Sequence, residues 1–327
     1  MVSRWSGFLS HLSDFFMATQ AVLLFAGQGA QKVGMGQDLA GAFPVAGEML
    51  AKADAALGYS LSEVMFEGPM EELTRTSRCQ PALYVHGLAL LEVLKSKVPE
   101  LEVVACAGLS LGEFTAHAAA GTFSFETGLN LVFQRGAFME ESCESTQGAM
   151  VAMLGGEESA IRALAAECEV DVANLNAPGQ IVLSGSVTGI EAAAAKSKEC
   201  GIKRAIVLPV AGAYHSRLMA SAQAKLSAVL AEAAVVSPGV PVVSNFEAAV
   251  VSEPEAIRSA LVSQVTGSVR WVESMQLLIA QGHKLFIELG PDATLAGLMG
   301  KIDKSVKVIS IKDVASLEAG VGELVSS

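Results

Sequence analysis

The sequence predicts an α/β protein in which a parallel-sheet main domain is interrupted by a smaller β-α-β-β-α-β unit. Apolar strands alternate with helical patterns towards both ends of the chain, and this pattern changes to short strands and helices between them. The 327 residues are many for one domain and few for two full ones. We therefore expect a main domain, residues 18–147 and 212–327, with an inserted subdomain, residues 148–211.

The elements of the main domain alternate along the chain. Before the insertion we predict strand Ala21–Ala26, helices Pro44–Leu57 and Pro81–Lys95, strand Val103–Ala107 and helix Leu111–Ala120. After it we predict helix Ser216–Ala234, strand Val240–Asn245, a helix from Pro254, and strands Lys284–Glu288 and Lys307–Ser310. Apolar strands that alternate with helices are typical of a parallel sheet covered on both faces.

The insertion follows a stretch rich in Ser, Gln and Gly at 142–148. Its predicted elements are strand Ala149–Leu154, helix Glu157–Cys168, strands Val170–Leu175 and Gln180–Ser184, helix Val187–Cys200 and strand Lys203–Val210. The inner strands are joined by residues 176–179, Asn-Ala-Pro-Gly, which favour a turn. This element order is that of a ferredoxin-like unit.

Composition excludes several classes of function. Apolar residues make up 51% of the chain, which is ample for a buried core. The 22 Lys and Arg against 34 Asp and Glu give a net charge of −12, so we expect no nucleic-acid partner. No uncharged apolar run approaches 18 residues, so we expect no stable membrane insertion. Five scattered cysteines indicate free thiols in a reducing compartment, and we expect neither a metal nor a bound cofactor.

Residues 1–17 are set aside as an N-terminal tail. Trp5, Phe8, Leu12 and Phe15 fall near helical spacing, which is typical of a helix that docks on a membrane surface or a partner. Only one basic residue accompanies them, so we prefer a tail upstream of the true start.

The segment Gly108-Leu109-Ser110-Leu111-Gly112 lies between an apolar strand and a helix, the position of a nucleophile elbow. The glycines allow a sharp turn that projects the Ser110 hydroxyl above the sheet. The helix start places the Leu111 amide where it can stabilise an oxyanion. We expect a catalytic serine in an α/β-hydrolase-like main domain; the alternative is an ordinary helix cap.

A serine nucleophile needs a base, and the histidines available are His11, His86, His117, His215 and His283. His215 follows a strand and begins a helix, where a loop can hold an imidazole over the elbow. The others lie in the tail, in helical patterns, or in a turn before a strand. No carboxylate between Ser110 and His215 is obviously presented at a strand end, which favours a dyad whose imidazole is oriented by a backbone carbonyl.

Three further polar residues are candidates for the site. Arg135 could bind a substrate carboxylate through two parallel hydrogen bonds, or could be a solvated helix arginine. Gln28 lies between two glycines after a strand; a dinucleotide fingerprint fails because position 32 is Lys32, so we expect the Gln28 amide to serve an oxyanion site. Gln80 could line the site or simply cap a helix.

Together these segments resemble the malonyl-CoA:acyl carrier protein transacylase family, which is similar to the acyltransferase domains of polyketide and fatty acid synthases. The resemblance runs from about Val22 to Leu298. Its motifs are LFAGQGAQ (24–31), QPAL (80–83), GLSLGE (108–113), QRG (134–136), NLNAPGQ (174–180), YHS (214–216) and ELGP (288–291).

The resemblance implies a role for each candidate. The implied site consists of catalytic Ser110 and His215, the oxyanion-hole amides of Gln28 and Leu111, substrate-binding Arg135 and Gln80, and the backbone carbonyl of Arg270, which would orient the histidine. Leu109 departs from the family pattern, because the residue before the nucleophile is commonly His. Arg270 replaces a frequent Gln, which preserves a carbonyl role but not a side-chain role. Tyr214 before the histidine is similar to the pattern of malonyl-selective domains.

The implied function is a ping-pong transfer of malonyl from malonyl-CoA to the phosphopantetheine thiol of acyl carrier protein. We expect a cytoplasmic monomer that supplies fatty acid biosynthesis, with polyketide synthesis as the alternative pathway. A serine thioesterase or esterase and an inactive acyl-binding scaffold are the alternative functions. An acidic carrier would need a local basic patch, for which we propose Lys203, Arg204, Arg217 and Lys225.

Overall fold

Two β-sheets form the centre of the structure, a computed structural model that describes residues 19–326. The tail predicted at residues 1–17 lies outside the described residues. The strands are β1 (Gln20–Phe25), β2 (Glu102–Gly108), β3 (Gly148–Leu154), β4 (Asp171–Ala177), β5 (Gln180–Ser186), β6 (Arg204–Val207), β7 (Val242–Val243), β8 (Val250–Val251), β9 (Leu285–Leu289) and β10 (Lys307–Ile311). The large sheet has the order β10-β9-β1-β2-β7-β8, and the small sheet has the order β4-β5-β3-β6.

Helices connect the strands of both sheets. They are α1 (Gln37–Ala42), α2 (Pro44–Leu57), α3 (Leu61–Glu67), α4 (Met70–Thr74), α5 (Thr76–Lys97), α6 (Leu111–Ala119), α7 (Phe125–Ser145), α8 (Glu158–Glu167), α9 (Val187–Lys196), α10 (Ala220–Glu232), α11 (Pro254–Gln264), α12 (Trp271–Ala280), α13 (Thr294–Ile302) and α14 (Val314–Val325). A 3-10 turn, Arg217–Met219, precedes α10, so the helix predicted at 216–234 is divided. Within residues 19–326, none of the helices combines the length and apolar character needed to cross a membrane.

The large sheet is parallel except at one edge, where β7 and β8 pair antiparallel. Strand β1 is apolar because its successive side chains enter two buried clusters, one on each face of the sheet. Its register pairs Phe25 with Gly108 on one side and with Leu289 on the other. Strands β1, β2 and β9 therefore end at the same edge of the sheet. The loops that carry Gln28 and Ser110 begin side by side at this edge.

The small sheet contains the element order that the sequence predicted, namely β3, α8, β4, β5, α9 and β6. Its strand pairs are all antiparallel. A separate core forms beneath it, where Val151 and Leu183 of the inner strands join Ile161 and Ile190 of the two helices. This second core explains why the sequence pattern changes within this segment.

Main-chain hydrogen bonds near Val269 join the small sheet to the main domain. The Val269 N–H donates to the Ala173 carbonyl (2.8 Å), and the Val269 carbonyl accepts from the Leu175 N–H (2.9 Å). The side chain of Val269 is buried in a core cluster that also contains residues of β1 and β9. This segment therefore fixes the small sheet beside the loop that follows α11.

Two elements differ from the sequence prediction for physical reasons. Helix α5 begins at Thr76 and contains Pro81, which was predicted to begin it. The proline forfeits one helical hydrogen bond, but the surrounding turns are buried and tertiary packing overrides that loss. The strand predicted at 240–245 is reduced to β7. It begins late because Pro241 has no N–H and offers only its carbonyl, which accepts from Cys106, and it ends early because the N–H of Asn245 donates to a side chain, that of Glu113.

Glu288, in the ELGP motif, holds parts of the main domain together. It lies on β9 and is fully buried. Its carboxylate accepts from the N–H groups of Leu295 (2.8 Å) and Ala296 (2.9 Å) in the first turn of α13, and from the Ser310 hydroxyl (2.7 Å). A carboxylate suits this place because the first amides of a helix lack partners within the helix. The acidic residue of this motif therefore has a structural role.

Candidate active site

Ser110 lies at the tight turn between β2 and α6. Its φ of 54° and ψ of −104° form a backbone conformation that residues with side chains rarely adopt. A Cβ on Gly108 would lie 2.0 Å from the carbonyl carbon of Gly112, and a Cβ on Gly112 would lie 2.1 Å from the carbonyl oxygen of Phe25. Only glycine fits at these two positions. The G-x-S-x-G pattern is therefore a geometric requirement of this turn.

Ser110 and His215 form a hydrogen-bonded pair. Ser110 Oγ lies 2.7 Å from His215 Nε2, and His215 Nδ1 lies 2.8 Å from the carbonyl oxygen of Gln264. Since a carbonyl only accepts, Nδ1 carries the proton and Nε2 is free to accept the proton of Ser110. Burial, and after it the charge of Arg135, lowers the pKa of His215 to about 4. The imidazole is therefore a neutral base near neutral pH.

The carbonyl that orients His215 belongs to Gln264, so the prediction of Arg270 for this role was wrong. Arg270 is the N-cap of α12, and its carbonyl accepts from the N–H (3.0 Å) and the hydroxyl (2.9 Å) of Ser274. Gln264 is the last residue of α11, where carbonyls have no partner within the helix. A carbonyl at the end of a helix is thus available to the imidazole, whereas a carbonyl at the start of a helix already accepts a hydrogen bond within the helix.

Arg135 reaches the nucleophile from α7. Its side chain is 1% exposed. One terminal nitrogen donates to Gln80 Oε1 (2.8 Å), and the other donates to Gln264 Oε1 (2.9 Å) and Ser110 Oγ (3.1 Å). Burial lowers the pKa of Arg135 to about 10, which still leaves a cation near neutral pH. The structure thus brings Arg135 and Gln80 together and places a positive charge beside the serine oxygen.

Gln28 and Leu111 both line the cleft that contains Ser110. Leu111 begins α6, and the first amides of a helix are available to an external acceptor. The side chain of Gln28 donates to the hydroxyl of Tyr214 (3.5 Å). The same hydroxyl forms a second hydrogen bond, with Thr76 Oγ1 (2.7 Å). The loop that carries Gln28 is thereby tied to the residue before His215.

Two residues outside the sequence motifs support the elbow. Asn245 accepts from the N–H of Ser110 (2.6 Å) and donates to the carbonyl of Gly108 (2.8 Å). The side chain of Gln264 donates to the carbonyl of Ser110 (2.9 Å). Asn245 stands at the end of the strand predicted at 240–245, and a polar residue at that position is a usable signal. Gln264 lies in an ordinary amphipathic helix pattern and offers no such signal.

A cleft of about 490 Å³ opens above Ser110 and is lined by residues of both the main domain and the small sheet. Arg135, Gln80 and His215 line its polar part, next to the serine. Apolar side chains line the rest, among them Met150 and Val182 of the small sheet and Leu109 of the elbow. A concave site with few polar groups and apolar walls is typical of small-molecule binding.

The basic patch predicted for docking is already partly paired. Arg217 forms an ion pair with Asp171 (2.7 Å), and Lys225 forms one with Glu141 (2.6 Å). Lys203 and Arg204, the other two residues of the patch, lie at the start of β6, the edge strand of the small sheet.

Comparison with known proteins identifies the family. Residues 22–322 match the family model described as acyl transferase domain. The malonyl CoA-acyl carrier protein transacylase of Bacillus subtilis (strain 168) is 40% identical over 313 residues, which covers 94% of this chain and 98% of that protein. The acyl-carrier-protein S-malonyltransferase from Bartonella henselae has a crystal structure that is 35% identical, with a TM-score of 0.88 and coverage of 94% and 99%. A malonyl-transacylase in complex with a holo type II polyketide synthase acyl-carrier protein is 36% identical, with a TM-score of 0.90 and coverage of 93% and 100%.

A serine–histidine pair at a nucleophile elbow, with a smaller sheet beside it, places the protein among the α/β acyltransferases. The chain belongs to the malonyl-CoA:acyl carrier protein transacylase family, which confirms the resemblance carried by its motifs.

Proposed function

We propose that this protein transfers the malonyl group from malonyl-CoA to the phosphopantetheine thiol of acyl carrier protein, through an ester on Ser110. The observation that carries the proposal is the guanidinium of Arg135, which lies 3.1 Å from Ser110 Oγ. A buried cation beside a nucleophile suits an acyl group that has a carboxylate of its own. The names of the relatives, which specify malonyl-CoA and an acyl carrier protein, support the same donor and acceptor.

In the first half-reaction His215 Nε2 takes the proton of Ser110 while Oγ attacks the thioester carbonyl of malonyl-CoA. The oxyanion accepts hydrogen bonds from the amides of Gln28 and Leu111, and each such donor contributes roughly 10²–10³ in rate. Collapse of the tetrahedral intermediate breaks the carbon–sulfur bond, and His215 returns the proton to the CoA thiolate. The products are malonyl-Ser110 and CoA.

In the second half-reaction the carrier protein thiol gives its proton to His215, and its sulfur attacks the ester carbonyl. The bond to Ser110 Oγ breaks, and His215 returns the proton to that oxygen. The low pKa of His215, about 4, leaves it unprotonated at the start of each half-reaction. The proposed steps use no bound metal or cofactor.

Arg135 is the proposed selector of the acyl group. Among residues 19–326, its hydrogen-bond acceptors in the resting site are neutral groups, on Gln80, Gln264 and Ser110. A malonyl carboxylate can accept in place of Ser110 Oγ and supplies an ionic partner, whereas an acetyl group leaves the buried cation without one. An unpaired buried polar group supports discrimination of roughly 10⁴.

We propose fatty acid biosynthesis in the cytoplasm as the setting. Free cysteines such as Cys79 and Cys106 fit a reducing compartment. The relative in complex with a type II polyketide carrier supports polyketide synthesis as a second candidate. The two settings are distinguished by the rate at which purified carrier proteins of each type discharge malonyl-Ser110: the natural partner should react at the lower concentration.

The decisive experiment is to incubate the protein with malonyl-CoA alone, quench in acid, and measure intact and peptide masses. We expect a malonyl adduct on the Ser110 peptide, absent from Ser110→Ala, that a carrier protein thiol discharges quickly and water slowly. Rapid CoA release without a stable adduct would instead indicate a thioesterase or esterase. No CoA release would indicate a scaffold without activity.

A further inference from the structure

A second buried ionisable group lies one hydrogen-bonded side chain away from Arg135. Glu113, in the first turn of α6, has no exposed surface. Its Oε2 accepts from the N–H of Asn245 (2.9 Å) and from the side-chain N–H of Gln264 (2.6 Å). The proposed transfer steps do not use this carboxylate, yet placing a charged group in the interior is unfavourable unless something compensates it.

Gln264 connects this carboxylate to the guanidinium. Its Nε2 donates to Glu113, and its Oε1 accepts from Arg135 (2.9 Å). A carboxylate only accepts and a guanidinium only donates, so one orientation of the amide satisfies both ends. The structure therefore places a buried carboxyl group, a neutral amide and a buried cation in a row. Burial raises the pKa of Glu113 to about 7, so this carboxyl group is an anion above that pH.

We propose that Glu113 is the counter-charge of Arg135, held one side chain away by Gln264 so that the guanidinium stays free for the substrate carboxylate. The inference rests on the proposed function of Arg135. A buried cation without any counter-charge destabilises the fold, while a carboxylate in direct contact would occupy the N–H groups that malonyl needs. The intervening amide supplies the charge and leaves those groups with weaker, neutral acceptors.

The first test exchanges the two side chains, in the double variant Glu113→Gln with Gln264→Glu. The exchange keeps the composition and net charge but puts the carboxylate directly on Arg135. Purified protein is offered malonyl-CoA and acetyl-CoA in competition, and the two adducts on Ser110 are quantified by mass. We expect the malonyl-to-acetyl ratio to fall by about 100-fold or more, because a direct ion pair competes with the malonyl carboxylate. An unchanged ratio would overturn the proposal.

The second test removes only the charge, with Glu113→Gln alone, and it decides the question if the double variant does not fold. It is made at about pH 8.5, above the raised pKa of Glu113, about 7. The amide oxygen can still accept from both N–H groups, while the buried cluster loses its negative charge. We expect KM for malonyl-CoA to fall about fivefold or more, with a smaller change in kcat, since a nearby negative charge no longer opposes the substrate carboxylate. A rise in KM, or an equal change with acetyl-CoA, would contradict a counter-charge.

Two further variants separate the possible failures. Glu288→Gln neutralises another fully buried carboxylate, which binds the first turn of α13 and does not line the cleft. This variant should leave the malonyl-to-acetyl ratio unchanged. Arg135→Ala should abolish the malonyl preference. If wild-type protein forms no malonyl-Ser110, the proposed function itself fails. If wild type and Arg135→Ala behave as expected but the exchange variant keeps the ratio, only the inference about Glu113 fails.

Discussion

Replacing Gly112 by Ala tests how tightly the elbow is built. The new Cβ would lie 2.1 Å from the carbonyl oxygen of Phe25 and 2.8 Å from its carbonyl carbon. That oxygen cannot move away freely, because it accepts from the N–H of Leu109 (3.1 Å) and lies at the end of a central strand. The start of α6 must therefore shift, and Ser110 must shift with it. Overpacking a rigid site of this kind costs about 3 kcal/mol, which lowers the melting temperature of a chain of 327 residues by about 4–5 °C.

The same shift should impair the chemistry of Ser110. A displacement of about 1 Å from the hydrogen bond with His215 slows acylation by roughly 10²-fold. The assay is single-turnover formation of malonyl-Ser110, together with thermal unfolding. Gly297→Ala is the matched control, because Gly297 lies on α13 with nothing within 4 Å of the added methyl group, so the variant should gain up to about 1 kcal/mol. A Gly112→Ala protein that melts and reacts like wild type would refute this reasoning.

Three further predictions concern the groups around the nucleophile. Arg135→Ala should reduce malonyl acylation of Ser110 by roughly 10⁴-fold more than acetyl acylation, measured by competition; equal losses would refute its role. Asn245→Ala should slow acylation, because the Ser110 N–H and the Gly108 carbonyl lose their hydrogen bonds. Its free energy of unfolding, measured with urea, should fall by about 1–3 kcal/mol for each of these partners left unsatisfied. At saturating malonyl-CoA, protonation of Glu113 near pH 7 should change acylation only slightly, since its charge acts mainly on KM; the main decline should come near the pKa of His215, about 4, where the base becomes protonated. Quenched-flow measurements with brief pH jumps test this, and a midpoint near 6.5 would show that burial does not perturb the imidazole.

The elbow could be predicted because its constraint is local. A sharp turn with Ser110 at its tip requires Gly108 and Gly112, and these residues are adjacent in the chain to an apolar strand and a helix. The histidine could be chosen on similar grounds, since strands that run in parallel bring their carboxyl ends together. These parts of the site follow from short sequence patterns.

The partner of the histidine could not be predicted in the same way. Whether Gln264 or Arg270 offers its carbonyl to His215 depends on where α11 ends relative to a loop that is distant in the chain. The role of Glu113 is hidden for a similar reason, because a glutamate in a first helical turn usually faces solvent and interacts with the helix dipole. Its burial depends on residues of α11 and of the loop that follows β7, which meet it only in three dimensions.

The two main-chain hydrogen bonds between Val269 and the small sheet limit how the cleft can move. A hinge opening of the small sheet would either break both bonds or, if they held, withdraw the Val269 side chain from the core. The cleft is therefore expected to keep its width through the catalytic cycle, with acyl groups admitted according to fit and charge and without closure of a lid. Gln264 is only a short loop away from Val269, so force exerted on the small sheet would reach the carbonyl that holds His215. The rate of the chemical step should thus be sensitive to mechanical load on the small sheet.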